Sequence, residues 1–162
     1  MKKVIIIFLV FILFSCANLS KSTTQVKFDK EIFIEQRKLW QQANIKNYQY
    51  QLSAIGSIYY YGTIFVENSQ FKNDLAFVEN SNIEYFMNYS TIDEIYKTIE
   101  EIFNTNNKIK QSKDRVYQTE IFIEYDKISH IPIDIIYYYY TPPDVAHDGT
   151  FRYKIAEFKK RE

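Results

Sequence analysis

The chain has 162 residues, enough for about one domain, and its 20 basic and 20 acidic residues cancel. Such a balance builds no strong field for recruiting nucleic acid or acidic lipid, so both partner classes are set aside. Hydrophobic residues make up 46%, enough for a buried core, while only 3 glycines mean few tight phosphate-cradling loops; neither GxxxxGK[ST] nor GxGxxG occurs.

The N-terminus is read first. Lys2 and Lys3 precede an unbroken apolar run over residues 4–14, and polar residues resume at Ser15. A membrane-spanning helix needs about 20 apolar residues. The shorter run and its charged start fit a secretory signal peptide. Leu13-Phe14-Ser15-Cys16 resembles a bacterial lipobox, with an aliphatic residue three positions before the cysteine and a small one just before it. Cys16 is also the only cysteine in the chain, so no internal disulfide explains it. An uncleaved anchor and a discarded signal with an incidental cysteine stay open as alternatives. Lipidation at Cys16 accounts for both the position and the solitude of the thiol. Acyl chains at ~0.8 kcal/mol per buried CH₂ would hold such a protein on a bilayer. The expected organisation is a signal over residues 1–15, a lipidated cysteine with a polar tether over 16–28, and one domain over 29–162. Removal of the signal leaves 18 basic and 20 acidic residues, as Lys2 and Lys3 go with it.

Within the domain, Asp29 is placed to cap a helix running through Ala43, with Ile32, Phe33, Leu39, Trp40 and Ala43 on one face and Glu35, Arg37, Lys38 and Gln42 elsewhere. From Asn47 the period becomes two: Tyr48, Tyr50, Leu52 and Ala54 alternate with Gln49, Gln51 and Ser53, as in a half-buried antiparallel strand. Gly56-Ser57 turns into a second strand over residues 58–67, aromatic or apolar on both faces and therefore expected at the sheet centre. A third strand is expected over 71–78. Ser90-x-x-Asp93 and Thr91-x-x-Glu94 both match a capping box. The helix they open carries Ile92, Ile95, Tyr96, Ile99, Ile102 and Phe103 at i, i+3, i+4, i+7 spacing and is expected to stop at residues 104–107. Three strands follow, over 117–125, 133–140 and 151–158. The order α-β-β-β-α-β-β-β with short connections predicts a two-layer α+β fold: an antiparallel sheet of about six strands with both helices on one face.

Three motifs in this order resemble the DUF6174 family of small exported bacterial proteins and lipoproteins of unassigned function. They are Leu39-Trp40 with Asn47-Tyr48-Gln49-Tyr50, then Thr91-Ile92-Asp93-Glu94-Ile95-Tyr96, then Ile123-Glu124-Tyr125-Asp126 with Ile131-Pro132. The resemblance spans roughly residues 38–158. It implies an exported location and a fold, and supplies no reaction.

No catalytic constellation is legible. The two histidines, His130 and His147, fall in predicted turns and match no metal template, and there is no GxSxG elbow. No cofactor or metal is expected. The reading is a bacterial envelope protein held to the membrane through Cys16 and acting as a binding or organising module, toward an exported protein or an envelope glycan. An inhibitor-like module and an envelope-acting hydrolase are the alternatives. Its candidate working surface comes from "DIIYYYYTPP". In a strand, Tyr137 and Tyr139 share one face and Tyr138 and Tyr140 the other. With helices on one side only, Tyr138 and Tyr140, joined by Tyr59 and Tyr61, are expected on the uncovered side.

Overall fold

The computed structural model describes residues 26–56, 60–72, 87–109, 118–140 and 149–162. In chain order its elements are β1 (Val26–Lys27), α1 (Lys30–Ala43), β2 (Tyr48–Ile55), β3 (Tyr60–Glu67), β4 (Gln70–Phe71), α2 (Ile92–Ile109), β5 (Gln118–Tyr125), β6 (Pro132–Tyr140) and β7 (Gly149–Lys160). The expected α+β architecture is observed: one sheet in the order β1-β5-β6-β7-β2-β3-β4, antiparallel throughout except where the two-residue β1 joins β5 in parallel. The last strand, β7, sits in the middle and joins the N-terminal hairpin to the C-terminal one.

Both helices pack on one face of this sheet. The buried side chains of α1 and α2 form a single core with Tyr48, Tyr50, Leu52, Ile64, Val66, Ile121, Ile135, Tyr137 and Ile155 from the strands. Along β2 burial alternates as its sequence demands, with Tyr48, Tyr50, Leu52 and Ala54 inward. Helix α2 begins as its sequence indicates. Of the two capping boxes, Thr91 supplies the cap, its Oγ1 accepting the Glu94 N–H at 3.1 Å. Ile92, Ile95, Tyr96 and Ile99 are fully buried. The helix runs on to Ile109, past the asparagines expected to stop it. An asparagine costs well under ~1 kcal/mol in a helix interior, too little to end a helix anchored by four buried residues in its first turns.

Helix α1 departs from expectation in its face. Phe33 and Trp40 are buried, but Ile32 and Ala43 are exposed, and the polar Gln36 and Arg37 occupy the stripe between the two aromatics. Both have partners that make this tolerable: Arg37 Nη1 reaches Glu100 of α2 at 2.7 Å, and Gln36 Oε1 lies 3.0 Å from the His130 ring. Strand β3 is also corrected. It lies second from the edge, beside the two-residue β4, so its apolar residues on the second face are exposed rather than covered. Most of the third predicted strand, 73–78, lies outside the described residues.

A bulge in β7 shapes the core locally. Gln51 pairs with Ala156 and Gln49 with Lys159, so Glu157 and Phe158 together oppose Tyr50. Glu157 takes φ 49°, and the extra residue swings Phe158 inward onto Trp40 and Tyr48, with ring centroids at 6.0 and 5.6 Å.

Candidate binding surfaces

The face of the sheet away from the helices is read from the strand register. One row across it runs Phe122, Ile136, Arg152, Ile55; the next runs Glu124, Asp134, Lys154, Ser53, Tyr61. Arg152 grips the Asp134 carboxylate with both Nε and Nη2, and that pairing raises the guanidinium above its ordinary pKa. The centre of the face is therefore charged and amide-bearing. Large apolar side chains stand on either side: Phe122 (49% exposed) with Tyr138 toward β5, and Tyr61 (66% exposed), Phe65 and Ile55 toward β3.

Tyr61 and Tyr138 thus occupy the uncovered face, as the alternation of their strands requires. They do not form one patch, since β7 and β2 stand between their strands and set them roughly 14 Å apart at ~4.8 Å per strand. Tyr59 lies outside the described residues, and of Tyr140 only the backbone pairing with Gln118 is described. The residue that sequence reasoning passed over is Phe122. Its signal was present: alternation in β5 puts it among Glu120 and Glu124, an aromatic ring on an otherwise polar face.

The rings of this face are not laid out as a flat platform. Phe122 meets Tyr138 edge-on at 85°, the Tyr61 hydroxyl donates to Gln51 Oε1 at 3.0 Å, and the Arg161 guanidinium sits 5.5 Å over the Phe65 ring.

Among the described residues, two hollows flank the helix layer. A cleft of about 400 Å³ opens between the end of α1 and the β5–β6 turn, lined by Ile131, Ile133, Ile155 and Phe158 together with the polar Asp126, Glu157 and Lys160. A groove of about 280 Å³ runs beside β5 under the start of α1, between Phe28, Ile32, Ile121 and Tyr125.

The polar groups of the β5–β6 turn build the turn itself. Asp126 Oδ1 accepts the N–H groups of Ile128 and Ser129 and the Ser129 hydroxyl, which holds its carboxyl below the ordinary value. His130, at φ 61°, offers its carbonyl to the Tyr96 hydroxyl. On the helix side of the sheet, the Tyr89 ring stacks on Tyr153 with centroids 3.7 Å apart. Burial pushes the Tyr89 phenol, like those of Tyr48, Tyr50, Tyr96 and Tyr125, well above its ordinary pKa. These phenols are structural: Tyr50 donates to the Tyr89 carbonyl at 2.7 Å, and Tyr48 accepts the Ile92 N–H at 3.1 Å. Among the described residues, no three His, Cys, Asp or Glu side chains converge on a metal site, and no helix is long and apolar enough to cross a membrane. Cys16 and His147 lie outside the described residues.

Comparison of the chain with protein-family models, with curated proteins and with solved structures gave no match. The three motifs quoted from the sequence meet one another in the structure. Trp40 donates to Asp93 at 3.1 Å, Tyr48 receives Ile92, and Tyr96 reaches the turn before Pro132. These contacts lock the helices onto the sheet.

Proposed function

We propose that the chain is a non-catalytic binding module of the bacterial envelope, anchored through lipid on Cys16, that docks another exported protein on the uncovered face of its sheet. The observation that carries this is the one-sided helix layer. It leaves Phe122 with Tyr138 on one side, and Tyr61 with Phe65 on the other, standing around an ionic and amide centre, two apolar groups framing a polar middle. A protein is favoured over a glycan by the rings: a sugar stacks on a flat, accessible ring, whereas here one ring is capped by a cation and another is set edge-on. Mixed apolar and charged surface suits a protein interface, where charge pairs fix orientation.

The anchor is tested by Cys16→Ala with radiolabelled fatty acid and membrane fractionation; retained label and membrane association would refute it. For the face, a photo-crosslinking residue is placed at Tyr61 or Tyr138 in the full chain in cells, with Lys38 on the exposed side of α1 as control. A defined protein adduct from both face positions, absent from Lys38 and lost with Arg152→Glu, is expected. Binding to purified peptidoglycan sacculi that Phe122→Ser abolishes, with no protein adduct, would overturn the choice of partner.

A further inference from the structure

The β5 edge is the second exposed feature, and it is of a different kind. β1 covers this edge only at Thr119 and Glu120; at Phe28 the chain leaves it, and Asp29 turns into α1. From Ile121 to Glu124 the strand pairs with β6 through Tyr137, Ile136, Ile135 and Asp134, and among the described residues no strand lies on its other side. Alternate N–H and C=O groups along residues 121–125 therefore point outward, a template for another strand. Proteins ordinarily guard such an edge with charged side chains, lysine above all, or with proline. Ile121-Phe122-Ile123-Glu124-Tyr125 has no lysine or proline, and Glu124 is its one charge. Instead a groove of about 280 Å³ runs beside it, between the strand and the Phe28 and Ile32 side chains, and Ile32 is among the large apolar residues the fold leaves exposed. An edge strand beside a helix with an apolar groove between them is the arrangement in which extended peptides are taken up by strand addition.

We infer that this edge accepts an extended, apolar segment of the exported partner as an added strand, with a lysine or arginine of that segment against Asp29. The inference rests on the proposed protein-docking role, and it names how the partner is held. Charge selects the occupant. Asp29 is the charged side chain lining the groove, where its carboxylate adds to burial in raising the Tyr125 phenol; Glu124, on the same strand, faces the open side of the sheet. Lys30, next to Asp29 in the chain, is turned onto the Phe103 ring at 5.7 Å. A second copy of this chain would bring two sets of these carboxylates together, whereas a basic segment neutralises them. Size agrees. Five strands from β5 to β3 span roughly 24 Å across and ~23 Å along, on the order of 550 Å² of flat face against the ~800 Å² per partner of a stable interface. Phe122 belongs to both the groove and the open face, so an added strand enlarges that face continuously.

The test uses the full chain in detergent with two fluorescent probes, peptides alternating valine and threonine with a lysine at the amino or the carboxyl end, to cover both strand directions. Anisotropy should show binding of one probe. N-methylation of every second amide should weaken that probe about tenfold or more in one phase and leave it unchanged in the other, because only one set of N–H groups faces the edge. Phe122→Lys should abolish binding. Asp29→Asn keeps a helix-capping residue and should cost about three- to fivefold with the lysine probe and nothing with its glutamine analogue. No binding of either probe at ~1 mM, equal effects of the two methylation phases, or sedimentation showing a dimer that Phe122→Lys dissolves would overturn the proposal. A crosslinked adduct at Tyr61 alongside any of these would leave open-face docking standing without the added strand; loss of that adduct with intact peptide binding would do the reverse.

Discussion

Raising the pH should unfold this protein abruptly. Tyr48, Tyr50, Tyr89, Tyr96 and Tyr125 all carry phenol pKa values raised in the fold above the ordinary 10.0, with burial as the first cause in each. A raised folded pKa means that the native state keeps a proton the unfolded chain gives up. Stability from these groups is therefore complete below pH 10 and falls as pH rises above it. Each phenol held neutral costs about 0.4 kcal/mol at pH 10 and about 1.4 at pH 11, so five together cost roughly 2 and then roughly 7 kcal/mol. A domain's stability is about 5–15 kcal/mol, and five coupled phenols consume a large part of it within one pH step. Phenolate absorbance and far-UV circular dichroism, followed on the same sample, should change together in one steep transition beginning between about pH 10 and 11. A smooth single-site titration of all 15 tyrosines with the circular dichroism unchanged would refute the reasoning.

Other substitutions separate packing from surface effects. Ile99→Asp places an unpaired charge at a fully buried position of α2 and should cost more than ~4 kcal/mol, abolishing the native thermal transition. Glu100→Lys loses the partly exposed bridge to Arg37 and should cost about 1 kcal/mol, a few degrees in Tm; equal damage from the two would show the helix faces are misassigned. Tyr48→Phe strips the acceptor from the Ile92 N–H and should cost about 1–3 kcal/mol, with faster hydrogen exchange in the first turn of α2 and no matching change in α1. Gly56→Ala combines φ 154° with a Cβ that would sit 2.5 Å from a Phe151 ring carbon, so about 1–3 kcal/mol should be lost; an unchanged Tm would mean the turn rearranges freely.

Local chemistry made much of this protein legible. Period-two alternation put Tyr48, Tyr50 and Leu52 inward and assigned Tyr137 and Tyr138 to opposite faces, because a strand's geometry fixes side-chain direction without reference to any neighbour. The cap at Thr91 and the stripe from Ile92 to Ile99 were readable for the same reason, since helix contacts at i+3 and i+4 lie within the segment. Whatever joins distant segments was decided by the tertiary structure. The sequence carries no local mark that β7 enters the sheet between β6 and β2, pairing Lys160 with Tyr48 across the whole domain. Nor does it show that Arg37 and Gln36 belong in the helix interface, because their partners Glu100 and His130 are far along the chain. The candidate surface divides the same way. The faces of Tyr61 and Tyr138 followed from alternation, but their separation and the bare edge of β5 follow from strand order, which long-range pairing alone sets.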